Sequence, residues 1–472
     1  MSLPRRKTWL WLILAVVVSA GTIAAFRAHR VALLGSGFMA QTLCAGVFVS
    51  GREPQRLMSE ELGNPAYELL HYFRAEIDRE GKRVTASLHG LAAQTAIFRE
   101  GLGCTLLHGE SEAELRAQGA GLFGAPEPAG DGLWPDGERV NPGSLSAGVN
   151  RGEVETAIEA LFSEPDPAHR RGTRALVVVH EGRIVAERYA EGFDASMPLP
   201  GWSMTKTATN ILIGMRVKDG ALALEDAALM PEWRGNDDPR RAITLDDLMR
   251  MSSGLAFNED YGDDLGDVTQ MLYVQPDAAR FAASKSLEHR PGTLWAYSSG
   301  TTNIISGVLR ETFADERDYL RYPGERLFGA LGMRSAVLQP DVSGTFVGSS
   351  FLYASARDWA RLGLFLLREG KWRGEQLVPE HWLDYTLKPT TPSPHEEYGA
   401  QVWLKLPESP GYGEPPMPDD AYYLLGYDGQ VTAVIPSRDL VIVRLGLTPD
   451  GGDWDNARKL APLVSAFPAQ KP

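Results

Sequence analysis

Hydrophobic and polar positions divide the chain before any chemistry is visible. From Thr8 to Phe26 the run TWLWLILAVVVSAGTIAAF carries no charged residue. Its 19 residues approach the roughly 20 that a helix needs to cross a bilayer. Arg5, Arg6 and Lys7 precede it, which would leave the bulk of the chain outside the cytoplasm, although Arg27 and Arg30 on the far side weaken that orientation. The stretch also fits a signal peptide, with Trp9–Val18 as the apolar core and Val18-Ser19-Ala20 as the cleavage site. Anchor or cleaved leader, both export the chain.

Beyond this segment, KRVTASLHG and TAIFREGLGCTLLHG read as strands of an N-terminal extension over residues 31–150. Gly143 to Gly152 is a glycine- and serine-rich connector. EVETAIEALFSE then predicts an amphipathic helix, and RALVVVHEGRIVAERYAEGFD a hairpin turning at His180-Glu181-Gly182-Arg183. From Met204 to about Leu387 the pattern is mostly helical, as in LDDLMRM and ARDWARLGLFLLREG. Strands return in YYLLGYDGQVTAVIP and DLVIVRLGL, and DNARKLAPLVSAF closes the chain as a helix. The order predicts an α+β fold: an antiparallel sheet assembled from both ends of a module at 151–472 and flanked by helices. A mostly helical insertion over about 207–390 interrupts it, with the site at the junction. Residues 1–30 form the membrane or leader segment.

Composition narrows the function. A net charge of −14 over 472 residues excludes the basic face that nucleic-acid binding needs. Cys44 and Cys104 are the only cysteines. An even pair in an exported chain favours one disulfide, the alternative being two unrelated buried thiols.

The candidate chemistry begins at PLPGWSMTK. If Ser203 opens a helix, Lys206 lies one turn on along the same face, beside the positive helix end. A serine needs a base to become a nucleophile, and a buried lysine can act as one. Read plainly, the same residues are a capping serine and a solvated lysine. In WAYSSGTTNIISGVLRETF, the loop Tyr297-Ser298-Ser299 enters another helix that Thr301 or Thr302 could cap. There Tyr297 is either an acid/base group or a packing ring. In GYDGQ, glycines inside a strand mark either a ligand's close approach, with the Gln430 N–H helping an oxyanion hole, or a turn at Asp428-Gly429.

The order and spacing of these pieces, with 94 residues from Ser203 to Tyr297 and 130 more to Tyr427, resemble the serine β-lactamase and penicillin-binding-protein superfamily. LDDLMRMSSGL and SARDWARLGLFLLREGKWRGEQLV look similar too. Tyrosine in the second motif resembles the class C-related branch with its esterases, D-peptidases and 6-aminohexanoate-dimer hydrolases. The resemblance implies an acyl-enzyme on Ser203, with Lys206 and Tyr297 as acid/base partners and the Ser203 and Gln430 N–H groups as the oxyanion hole. Ser299, Tyr427, Asp428 and Gly429 would contact substrate, an ester or amide, with no cofactor or metal. Either Lys206 or a phenolate Tyr297 could be the base. Tyr427-Asp428-Gly429 lacks the cation that would hold a β-lactam carboxylate, and Ser299 stands where the family has asparagine. Both weaken a β-lactamase more than an esterase. A membrane-tethered penicillin-binding sensor with little turnover is the alternative.

Two other patterns point away from the site. The acidic run Asn258 to Val268 reads as a solvated loop. RVALLGSGFMA matches G-x-G-x-x-A, but it abuts the apolar segment and no alternating βα units follow. Neither G-x-S-x-G nor H-E-x-x-H occurs.

Overall fold

Helix α1 runs without a break from Pro4 to Cys44 in the computed structural model, which describes residues 4–124, 130–141, 145–146, 148–263, 265–407, 417–448 and 452–469. The boundary expected at residue 30 therefore falls in mid-helix. Side chains from Trp11 to His29 face outward, whereas Ala32, Leu34, Met39, Ala40 and Leu43 are buried. The glycines of RVALLGSGFMA serve this packing. A Cβ at Gly35 would lie 2.6 Å from the Phe73 ring, and one at Gly37 2.4 Å from the Tyr273 carbonyl oxygen. The stretch is thus helix, not the strand and phosphate loop of a dinucleotide site.

Strands β1 (Phe73–Asp78), β2 (Arg83–Leu88), β3 (Leu91–Arg99) and β4 (Gly103–Leu106) pair in that order as an antiparallel sheet packed on α1. Val84, Ala86 and Ala96 are fully buried beneath the helix. A disulfide joins Cys44, the last residue of α1, to Cys104 in β4.

The larger module opens with helix α2 (Arg151–Phe162), whose N-cap Asn150 accepts from the Gly152 and Glu153 N–H groups. Of the connector before it, Gly143, Ser144 and Ala147 lie outside the described residues. The hairpin of β5 (Thr173–His180) and β6 (Arg183–Tyr189) turns at Glu181-Gly182, both at positive φ. Helices α3 (Thr205–Lys218), α4 (Ser299–Glu311) and α5 (Ala356–Leu367) belong to the helical middle. The tail adds β7 (Tyr422–Gly426), β8 (Gln430–Ile435), β9 (Leu440–Gly446) and helix α6 (Asn456–Ser465). Together β7-β8-β9-β5-β6 form one antiparallel five-stranded sheet, the sheet built from both ends that the pattern predicts.

β5 is central and buried along its whole length, which is why ALVVV reads as a continuous apolar run. Leu176 and Val178 join the layer of Val154, Leu161, Leu460 and Phe467 from α2 and the chain end. Val177 and Val179 point to the opposite layer, where α5 packs. Period-two alternation thus feeds two cores.

Candidate active site

The turn that carries Ser203 is held from both sides. Leu199–Pro200 pairs with Leu352–Ala354, and the Gly201 N–H donates to the Leu352 carbonyl at 2.9 Å. A Cβ at Gly201 would meet the Trp359 ring at 2.1 Å, so the chain passes there only as glycine. Trp202 takes the left-handed conformation at φ 49°, a strained state for a bulky residue. Ser203 follows in the short turn Trp202–Met204 that leads straight into α3. The helix's positive end lies at the serine.

Lys206 lies on the first turn of α3 and is 1% exposed. Its ammonium donates to Ser203 Oγ at 3.0 Å, Ser299 Oγ at 3.0 Å and the Ser349 carbonyl at 3.2 Å. Burial pushes its pKa down to about 8, against the opposing pull of the Glu259 charge. Tyr297 stands beside the cluster, near enough to the Ser203 and Trp403 side chains for both to favour its charged form. The Lys206 ammonium sits 4.8 Å from the centre of the Tyr297 ring. Burial, and secondarily the Glu259 carboxylate, hold the phenol's pKa well above its usual value.

Ser299 is the first residue of α4. The cap of that helix is Ser298, whose Oγ accepts from the Thr301 N–H, and not Thr301 or Thr302. Thr302 Oγ1 donates instead to Gln401. Ser299 turns both of its donors to one carboxylate: its N–H to Glu259 Oε2 at 2.7 Å and its hydroxyl to Glu259 Oε1 at 2.5 Å. The acidic run expected in solvent therefore sends Glu259 inward, where burial raises its pKa while Lys206 and the Ser299 bonds oppose that rise. Asp260 and Asp263 stay in the loop, capping local turns, and Asp264 lies outside the described residues.

The GYDGQ stretch is a turn between β7 and β8. Asp428 and Gly429 both take positive φ, 59° and 78°, as a tight reversal requires. The Gln430 N–H donates to the Tyr427 carbonyl inside this turn, so here it does not point at a substrate oxygen. The Gln430 side chain binds Gly446 in both directions, at 2.6 and 2.8 Å. Arg444 braces the turn from behind, donating to the Asp428 and Gly429 carbonyls at 3.1 and 2.8 Å. Tyr427 stacks on Tyr261 with centroids 5.3 Å apart, meets Trp202 edge-on at 5.7 Å, and lies near Tyr67 of the N-terminal extension, whose ionisation it disfavours. The Tyr261 phenol in turn lies near Ser299.

Ser203, Lys206, Tyr297 and Ser299 thus share one site, with Tyr427 on its wall. Glu259, Tyr261, Ser349 and Tyr67 were not legible as its members. Of these only Tyr261, in an aromatic-poor acidic run, offered a signal. No cluster of His, Cys, Asp or Glu that could hold a metal occurs among the described residues.

A half-buried serine against a buried lysine, with a tyrosine, beside a five-stranded antiparallel sheet, is the setting of the β-lactamase fold, and the chain belongs to that family. The family profile described as Beta-lactamase matches residues 158–462. Its members here are hydrolases of the serine β-lactamase fold. The 6-aminohexanoate-dimer hydrolase of Paenarthrobacter ureafaciens is 23% identical over 304 residues, 59% of this chain and 73% of that one. Among solved structures, EstCE1, a hydrolase with promiscuous acyltransferase activity, shares the fold at TM-score 0.52 and 14% identity, covering 67% of this chain and 98% of its own. SurE with D-Leu does so at TM-score 0.51 and 20% identity, covering 67% and 76%.

Proposed function

We propose that the protein cleaves esters or short amides by a two-step acyl transfer on Ser203. The observation that carries this reading is the convergence of Ser203, Lys206 and Tyr297. In acylation, neutral Lys206 takes the Ser203 proton as the hydroxyl attacks the carbonyl. The ammonium then returns a proton to the leaving group, directly or through the Tyr297 phenol, and the same groups later activate water for deacylation. Lys206 rather than Tyr297 is the base: a group titrating near 8 has a usable neutral fraction at working pH. The phenol is pushed the other way by burial.

Among substrates, the site favours small esters and linear amides with a free amine. Glu259 places a carboxylate behind Ser299, which suits a cationic substrate group, and a 6-aminohexanoate dimer carries one. Tyr427 supplies no cation for a β-lactam carboxylate. Ser203→Ala is expected to abolish hydrolysis of nitrophenyl esters and fluorophosphonate labelling while leaving the circular dichroism unchanged. Substantial turnover in that variant would refute the nucleophile assignment.

One observation favours the penicillin-binding sensor as a second reading. With the Gln430 N–H engaged by Tyr427, one oxyanion donor is withheld, and in other enzymes losing such a donor costs about 10²–10³ in kcat. A penicillin label that persists for hours, with no hydrolysis of any ester, would select the sensor.

A further inference from the structure

Exposed apolar side chains are unevenly placed outside the site. Beyond helix α1, the large hydrophobic residues facing solvent among the described residues are Met58, Leu69, Tyr72, Leu91, Leu133 and Leu294. Leu69, Tyr72 and Leu91, exposed by 58, 60 and 69%, belong to one end of the N-terminal sheet. Leu69 and Tyr72 lead into β1. Leu91 follows the two-residue turn His89-Gly90, and Leu88 pairs with both Phe73 and Leu91. Phe73 fixes this sheet end on α1 through its close approach to Gly35.

The level of that end along α1 follows from the disulfide. Cys104, bonded to Cys44, lies opposite Phe98. From Phe98 back to Leu91 the strand covers about 23 Å at ~3.3 Å per residue. Along a helix lying parallel to the strand the same distance takes about 15 residues at ~1.5 Å each, which sets His29 as the lower limit, while the Phe73 ring against Gly35 sets the upper one. The hairpin tip therefore stands between the levels of His29 and Gly35, roughly 5–13 Å along the helix beyond Phe26, where the outward-facing apolar stretch ends. The helix that carries it is long and apolar enough to cross a membrane.

We propose that this end of the N-terminal sheet, with Leu69, Tyr72 and Leu91, rests in the headgroup layer of the bilayer that α1 spans. The partner is a lipid surface. The inference does not depend on which residue is the nucleophile. Tyrosine suits the membrane–water boundary, and the exposed Arg74 next to Phe73, with Arg27 on the exposed part of α1, offers cations to anionic headgroups. Because α1 passes from the apolar stretch into the domain without a loop, the domain has no tether on which to swing away. Its contact with the surface is set by the helix itself.

Both native cysteines are bonded to each other, so one added cysteine can be labelled alone in the full chain. Leu91→Cys, Tyr72→Cys and Met58→Cys would each carry an NBD fluorophore in phosphatidylethanolamine/phosphatidylglycerol vesicles containing doxyl lipid. Met58 lies past the far end of α1 and serves as the reference. The expected result is blue-shifted emission and at least about twofold quenching at 91 and 72, with neither at 58. Water-like emission at 91 and 72, equal quenching at all three sites, or failure of the chain to float with the vesicles would each overturn the proposal.

Discussion

Lys206 and Glu259 set the protonation chemistry of the site at the residue scale. Burial disfavours the ammonium, whereas the carboxylate behind Ser299 favours it, and the first effect is the larger. In the proposed mechanism the working form of Lys206 is the neutral one, so kcat/KM is expected to rise with pH along a limb centred near 8. Removing the carboxylate removes the charge that favours the proton on Lys206. Glu259→Gln should therefore move that limb to lower pH, read in a pH profile of ester hydrolysis. A limb that stays in place, or moves to higher pH, would show that Glu259 does not act on Lys206. The conservative Glu259→Asp should restore part of the original profile, which a merely structural role would not require. Ser203 and Lys206 were legible because three residues along a helix bring them to one face whatever the rest of the chain does. Glu259 was not, since in NEDYGDDLGDV every carboxylate looks alike. Only the position of Ser299 on a separate helix, 40 residues further on, selects one of them.

At the scale of elements, the site is a joint between the turn before α3 and the turn between β7 and β8. The two backbones touch at glycine: a Cβ on Gly426 would lie 2.2 Å from the Gly201 carbonyl oxygen. Backbone on both sides leaves little room to relax, so Gly426→Ala should separate the Ser203 turn from the Tyr427-Asp428-Gly429 turn. Overpacking of this kind costs about 1–3 kcal/mol of stability. The cost to activity should be greater, since a misplacement of about 1 Å at a reacting centre can lose ~100-fold in rate. Denaturant midpoints and ester kinetics on the same variant separate the two, and wild-type kcat/KM in Gly426→Ala would show that the joint has no catalytic role. GYDGQ held both possibilities in the sequence, a strand open to a ligand and a turn. Positive φ at Asp428 and Gly429 decides for the turn, and such a backbone state leaves no mark in hydrophobic periodicity.

Across the whole molecule, the N-terminal extension is part of the hydrolase rather than an appendage. Arg52 and Arg174 share Glu60 and Glu61 in an ion-pair quartet, with Arg174 on β5 at 2.7 Å from Glu61 and 3.0 Å from Glu60. Both guanidinium groups also lie over the Phe193 ring at 5.0 Å. Phe38 and Thr42 of α1 line a cavity with Trp202, the residue before Ser203, and Tyr67 lies near Tyr427. Composition marked the connector near residue 150 and the apolar first segment, because both are local. It could not show that α1 enters the core, since Gly35 and Gly37 read as the glycines of a G-x-G-x-x-A match until Phe73 and Tyr273 come close to them. The Cys44–Cys104 disulfide secures this arrangement by closing a loop with a sequence separation of 60. Loop-closure entropy for that length corresponds to about 4 kcal/mol. A Cys44→Ala/Cys104→Ala double variant should lose stability of that order in denaturant titrations. The wall formed by Phe38 and Tyr67 should loosen with it, so ester hydrolysis is expected to fall at denaturant concentrations where the wild type is still fully active. If activity and global unfolding instead remain coincident with those of the wild type, the extension does not support the site and the bond is dispensable to it.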